Sequence, residues 1–366
     1  MIPLVDLKAQ YRTIAPEIAA GITRVLDDAS FVLGCEVGEF EEAYARFAGV
    51  RHCVGVANGT DALELALRAL GIGRGDEVIV PANSFIASAL AVVRAGATPV
   101  LVDCDPVHQL IDPARVAERL GARTRAVMPV HLFGQVAPME RLAEALAGRD
   151  VAIVEDAAQA QGAKRLGRPA GDFGAIAGTS FYPGKNLGAY GDAGAVLTGD
   201  DDLAQRVRAL RNYGSEVKNH HPVVGFNSRL DSMQAVILSA KLPHLADWNA
   251  ARRRAAERYR ALLCDMAEVE LPGVLEGNEH VWHLYVVRVP GRDAVLQALR
   301  DLGIGAGIHY PVPMHLQGAF ASLGHKRGDF PVAERAADEI LSLPLFPEIT
   351  PDQQERVAAA LRQALA

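Results

Sequence analysis

The chain has 366 residues, half of them hydrophobic and 22% charged, which is apolar material for more than one ordinary core and therefore for two domains. A net charge of −7 argues against a nucleic-acid-binding surface, and no apolar run reaches membrane-spanning length. The start, Met1-Ile2-Pro3-Leu4-Val5-Asp6-Leu7, lacks the basic and apolar stretches of a signal peptide, so a cytoplasmic location is expected.

From about residue 50 the pattern alternates between short apolar runs and helical periodicity. Strands are predicted at 77–80, 99–102, 126–130 and 151–154, with helices at 61–70, 84–95, 112–120 and 139–147. Strands separated by crossover helices imply a mostly parallel sheet covered on both faces. Ligands gather beyond the carboxyl ends of such strands, where Asp103, His131, Asp156 and Ser180 fall. A further strand at 194–198 is expected to run back beside 175–181. A long helix then spans 230–263, interrupted at Pro243.

The domain boundary is placed at that interruption, giving a large domain 1–242 and a smaller α+β domain 243–366. The latter is predicted to hold strands at 282–289 and 307–310, a helix at 293–302 and two closing helices. The basic run Arg252-Arg253-Arg254 reads as a solvated helical face. Cys35, Cys53, Cys104 and Cys264 are scattered, without metal-ligand spacing, and no metal site is expected. Reduced, mostly buried thiols are the natural reading.

Two phrases carry chemistry. Val151-Ala152-Ile153-Val154-Glu155-Asp156-Ala157-Ala158-Gln159 reads as a buried strand with an acid at its carboxyl end. Ser180-Phe181-Tyr182-Pro183-Gly184-Lys185-Asn186 places one lysine where other charges are few. A nucleotide-binding P-loop is excluded, because Thr179 stands where that motif needs glycine and Asn186 where it needs Ser or Thr. A strand-end lysine with a strand-end acid suits pyridoxal 5′-phosphate. The amine forms a Schiff base with the cofactor aldehyde, and the acid keeps the pyridine nitrogen protonated.

The other requirements of that cofactor have candidates that remain open to plainer readings. Gly59 and Thr60, in Asn58-Gly59-Thr60-Asp61, fit a phosphate-binding helix start; the plainer reading is an ordinary helix cap by Thr60 or Asp61. Ser180 offers a second hydroxyl to the same phosphate. Phe85 fits a face for the ring or core packing, and Gln159 fits a donor to the phenolic oxygen or a loop contact.

With these residues in view, the chain resembles the sugar aminotransferases of the DegT/DnrJ/EryC1/StrS group. The likeness runs from Val5-Asp6-Leu7-Lys8-Ala9-Gln10-Tyr11 through Gly59-Thr60-Asp61-Ala62-Leu63, Pro129-Val130-His131-Leu132-Phe133-Gly134 and the two phrases above. It continues through Arg211-Asn212-Tyr213-Gly214 and Asn227-Ser228-Arg229-Leu230-Asp231 to Ile308-His309-Tyr310-Pro311. Asn58 departs from the Ser of many relatives but can still cap or donate.

The resemblance implies the fold type I of pyridoxal phosphate enzymes, an α/β large domain with a smaller α+β domain. It implies Lys185 as Schiff-base lysine and proton carrier, Asp156 on the ring nitrogen, and Gln159 and Phe85 flanking the ring. Gly59, Thr60 and Ser180 would hold phosphate. Asn227 would reach the partner's phosphate in a homodimer with composite sites.

The reaction implied takes nitrogen from L-glutamate, passes through pyridoxamine phosphate, and aminates a nucleotide-linked ketosugar. The Phe181–Ala189 wording points to C3 of a dTDP-3-keto-6-deoxyhexose, with Tyr182, His309 and His315 as sugar contacts and Arg229 as an anion contact. A UDP-3-oxo-glucuronate derivative and a 4-keto nucleotide sugar are the alternatives. A pyridoxamine-dependent sugar dehydratase is disfavoured because Lys185 is present, and a non-catalytic ligand-binding protein because no cofactor contact is lost.

Overall fold

The computed structural model describes residues 1–366. Seven strands form the main sheet: β1 (His52–Val56), β2 (Glu77–Pro81), β3 (Thr98–Val102), β4 (Thr124–Val127), β5 (Ala152–Asp156), β6 (Ile176–Ser180) and β7 (Gly194–Thr198), in the order β1-β7-β6-β5-β4-β2-β3. Neighbours from β6 to β3 are parallel, whereas β7 is antiparallel to both β6 and β1. The antiparallel β6–β7 pair registers Ser180 with Gly194 and holds the lysine-bearing segment between them. Strand β1 escaped the sequence reading because Gly55 interrupts its apolar run. A side chain there would approach Leu230 to 2.8 Å, so close packing requires glycine.

The sheet's interior positions, among them Val54, Val80, Leu101, Val154 and Val196, are fully buried with Ala62, Leu65 and Leu67 of the helix Gly59–Ala69. A helix on the sheet face is held by that apolar stripe, since propensity alone stabilises so short a helix little. Two further helices precede the sheet, Leu7–Asp28 and Cys35–Ala48. Both pack on the helix Ser232–Lys241, for example where Gly21 meets Val236.

As expected, the chain breaks after that helix at a short 3-10 turn, Leu242–His244, before the helix Leu245–Leu263. A second core gathers Tyr259, Tyr285, Leu299, Leu341, Phe346 and Leu361, joined by Ile2 from the start of the chain. Its antiparallel pair is Tyr285–Arg288 with Ile340–Leu343.

Several expectations need correction. The segment 307–310 is not a strand; only Gly307 makes a bridge, to Ser342. The strand foreseen from 282 begins at Tyr285, because Trp282 adopts φ 48° and its carbonyl accepts from Arg252. Arg252 is no solvated residue. It is buried and donates to the carbonyls of Trp282 at 3.2 Å and Leu345 at 3.0 Å, and burial pushes its pKa down to about 10. Among the thiols only Cys53 and Cys104 are buried, while Cys35 and Cys264 are exposed.

Lys241 is fully buried without a carboxylate. Its Nζ donates to Gly188 O at 2.6 Å and lies 4.1 Å from the Tyr190 ring centroid. Burial pushes its pKa from 10.5 down to about 8. A lysine less basic in the folded than in the unfolded state weakens folding below pH 8, and that penalty fades as pH rises toward 10.5. Lys241→Met is therefore expected to stabilise the protein at pH 7 by about 1–3 kcal/mol. The gain should shrink by pH 10. Urea unfolding of both proteins at the two pH values checks this, and a variant less stable at pH 7 would contradict it.

Candidate active site

The carboxyl ends of β5 and β6 lie side by side, pairing Asp156 with Gly178, and this register brings the acid and the lysine segment to one end of the sheet. Asp156 is buried. Its Oδ2 accepts from Ser88 Oγ at 2.7 Å and its Oδ1 from the Ala158 N–H at 3.1 Å. Burial raises its pKa, opposed by those two hydrogen bonds and by Lys185. Lys185 is half-buried, and its amine makes no hydrogen bond to the protein. Burial pushes its pKa down to about 8 against the pull of Asp156.

Next to the acid, Glu155 pins the strand end. It accepts from the N–H groups of Gly171, Phe173 and Gly174 at 2.9, 2.7 and 2.7 Å and from His131 Nε2 at 2.8 Å. His131 Nδ1 accepts from the Ala137 N–H at 3.2 Å, which leaves the ring proton on Nε2, facing the carboxylate. His131 is thus a buried structural group at the edge of the site. Asp103, also at a strand end, accepts from the Val332 and Ala333 N–H groups and so caps the helix Pro331–Glu339.

The phosphate cradle has physical support. The helix Gly59–Ala69 is capped by Asn58, whose Oδ1 accepts from the Asp61 N–H at 2.9 Å. Neither Thr60 nor Asp61 is the cap, and the N–H groups of Gly59 and Thr60 have no acceptor in the chain. Ser180 stands against this helix start, and a Cβ at Gly59 would lie 2.5 Å from Ser180 Cβ. Glycine is needed for that approach, which sets free N–H groups at the positive end of a helix beside a hydroxyl.

Phe85, just before the helix Ile86–Ala95, is half exposed, with its ring centroid 5.2 Å from that of Tyr310. Gln159 is buried. Its Nε2 donates to Tyr310 Oη at 3.1 Å, and its Oε1 has no partner in the chain. An aldehyde-reactive amine, a carboxylate, an anion cradle, an amide donor and an aromatic face together fit pyridoxal phosphate in its chemical requirements.

The proposed sugar contacts divide. Tyr182 is 59% exposed and unencumbered. His309 bonds through Nδ1 to Ser342 Oγ at 2.8 Å, and burial together with Lys185 pushes its pKa down to about 4, so it is neutral. His315 is engaged by the protein through one ring nitrogen, while its Nδ1 has no partner in the chain. It is buried, its Nε2 is 2.9 Å from Glu334 Oε1, and its ring packs on Phe330. That partner holds it in the loop before the helix Pro331–Glu339. Arg229 donates to Asn212 Oδ1 at 3.0 Å and stacks 5.4 Å from the Tyr213 ring centroid, while Asn227 is exposed and bridges Asn212.

Other contributors were not foreseen. Ser88 lies four residues beyond Ser84, to which it also bonds, a helical spacing that could have flagged it. Asn186 donates to Asn249 Oδ1 at 2.8 Å and to Val281 O at 2.9 Å. Its Oδ1 therefore faces His283 Nδ1 at 3.3 Å, which must carry the proton. Asn249 in turn donates to Gln161 O, and Gln161 Nε2 bonds Ser180 O at 2.7 Å. This buried network joins the lysine segment to the second core, and no local pattern announces it.

The profile of the DegT/DnrJ/EryC1/StrS aminotransferase family matches residues 12–362. The dTDP-3-amino-3,4,6-trideoxy-alpha-D-glucose transaminase of Streptomyces venezuelae is 47% identical over 99% of this chain and 96% of its own length. A UDP-N-acetyl-3-dehydro-alpha-D-glucosamine 3-aminotransferase from Acidithiobacillus ferrooxidans is also 47% identical, over 100% of this chain and 98% of its own. The crystal structure of S. venezuelae DesV in complex with a ketimine intermediate superposes with a TM-score of 0.97 at 47% identity, covering 99% of this chain and 98% of that one. Fold, motifs and relatives agree over nearly the whole length, and the chain belongs to the DegT/DnrJ/EryC1/StrS aminotransferase family.

Proposed function

We propose that the protein is a pyridoxal phosphate-dependent aminotransferase that carries nitrogen from L-glutamate to C3 of a dTDP-linked 3-keto-6-deoxyhexose. The observation that carries this reading is the pairing of Lys185, a lysine depressed to about pH 8, with the buried carboxylate of Asp156 beside an anion cradle. When bound, the cofactor supplies an aldehyde that condenses with amines and a ring that stores the electron pair left on the donor's α-carbon.

The protein's own part follows from its geometry. Asp156, oriented by Ser88 and the Ala158 N–H, holds the ring nitrogen protonated. Gly59, Thr60 and Ser180 hold the phosphate, Gln159 donates to the phenolic oxygen, and Phe85 covers the ring. Lys185 Nζ, as a neutral amine, would take the proton from the donor's α-carbon and hold it for return to the carbon on the far side of the transferred nitrogen. A pKa near the working pH suits both halves of that transfer. Tyr182 and neutral His309 stand ready to bind sugar hydroxyls, and Arg229 to bind an anionic group.

The dTDP assignment draws on the S. venezuelae relative. The equal identity to the A. ferrooxidans enzyme supports a UDP-linked 3-ketosugar as the second reading. We retain the division 1–242 and 243–366, a cytoplasmic location, and a homodimer in which exposed Asn227 completes the partner's phosphate site.

The test is the visible absorbance of protein loaded with pyridoxal phosphate. L-Glutamate is expected to bleach the band, and a dTDP-linked 3-ketosugar to restore it. Restoration by UDP-sugars alone would select the second reading. A band that glutamate leaves unchanged would overturn the donor, and no band at all would overturn the cofactor.

A further inference from the structure

Tyr310 sits on the segment between the second core and the main sheet, next to His309, and meets the cofactor-binding residues twice. Its ring packs against Phe85 at 5.2 Å with an interplanar angle of 39°. Its Oη accepts from Gln159 Nε2 at 3.1 Å across 151 residues of sequence. Burial, reinforced by Asp156, raises the phenol's pKa, so Oη stays a neutral hydroxyl.

Gln159 needs such a partner. Its side chain is buried, its Oε1 finds nothing in the chain, and Tyr310 Oη is the one group that its amide nitrogen bonds. A terminal amide has a soft, two-fold torsion. Half a turn would present a carbonyl, with its lone pairs, where a donor is required. Anchored to Tyr310, Nε2 spends one hydrogen on the phenol and keeps the second for a ligand.

We propose that Tyr310 is a positioning residue that holds the Gln159 amide in place, so that the N–H selected by the acceptor-only phenolic oxygen reaches the bound cofactor. The same bond ties the cofactor contact to the segment bearing His309. This inference rests on the cofactor reading given above.

The test is the pH titration of the visible band in protein loaded with pyridoxal phosphate, compared between the parent and Tyr310→Phe. A donor that draws charge from the phenolic oxygen makes the neighbouring nitrogen base weaker, so losing the anchor should raise the pH midpoint. The expected rise is about half to one pH unit. Phenylalanine keeps the ring against Phe85, and the titratable groups around Lys185, namely Asp156, His283 and His309, are unchanged. Tyr310→Ala should show the same rise together with a lower melting temperature from lost packing.

If Tyr310 served only as packing, Tyr310→Phe would titrate at the parental midpoint. That result, or a lowered midpoint, overturns the proposal. A parent with no visible band overturns the cofactor reading, and this inference with it.

Discussion

Lys185→Ala is expected to abolish the visible band of the loaded protein and to reduce amino transfer by about four orders of magnitude or more, because one amine serves as both covalent anchor and proton carrier. The fold should persist, since Lys185 bonds to no other side chain, and burial holds its amine well below the ordinary lysine range. An acylating reagent applied to the cofactor-free protein reads the same property directly. Labelling of Lys185, followed by peptide mass spectrometry, should rise about tenfold per pH unit and level off above about pH 8. The sign follows from the neutral amine being the nucleophile. A plateau reached only above pH 10 would mean that the site does not depress the lysine.

Asp156→Asn is the second large effect. It keeps the size of the side chain and an oxygen for the Ala158 N–H, with its amide N–H facing the Ser88 hydroxyl, which can accept, but removes the charge opposite the ring nitrogen. Loss of a buried charge-assisted hydrogen bond is expected to lower amino transfer by about a hundred- to a thousandfold. Because Asp156 holds the Lys185 pKa up, the labelling plateau should move below pH 8 in this variant. Stability should not fall near neutral pH. A carboxyl whose pKa is raised by burial makes folding less favourable as pH increases through the carboxyl range, and the neutral amide avoids that cost. Thermal unfolding, the labelling profile and the steady-state rate together check this. A thousandfold loss of activity with a collapsed melting temperature would instead mark Asp156 as a structural residue.

The reach of local sequence is clear from particular residues. Strands β2 to β7 and the crossover helices were legible because each has its own period and its own turn chemistry. The strand β1 was not, because Gly55 answers to Leu230, 175 residues away. The cofactor residues were legible as motifs, but their fitness was not. The turn 58–61 reads equally as a plain helix cap, and what the fold adds is Ser180 standing against Gly59. His315 reads as a ligand contact in the sequence, and the fold sets Glu334 against its Nε2. Arg252 looked solvated, on a helix rich in arginine, until the second core closed over it.

The sequence by itself determined the alternation of strands and helices, the lysine and the acid at neighbouring strand ends, and the family resemblance. Each rests on residues close together in the chain. Only the tertiary structure decided which groups meet and how dry they are. Ser88 finds Asp156 across 68 residues, Asn186 finds Asn249 across 63, and Gln159 finds Tyr310 across 151. The depressed basicity of Lys241 was equally invisible beforehand. Hydrogen bonding between distant residues and loss of solvent are properties of packing, and packing is written in the periodicity of no single segment.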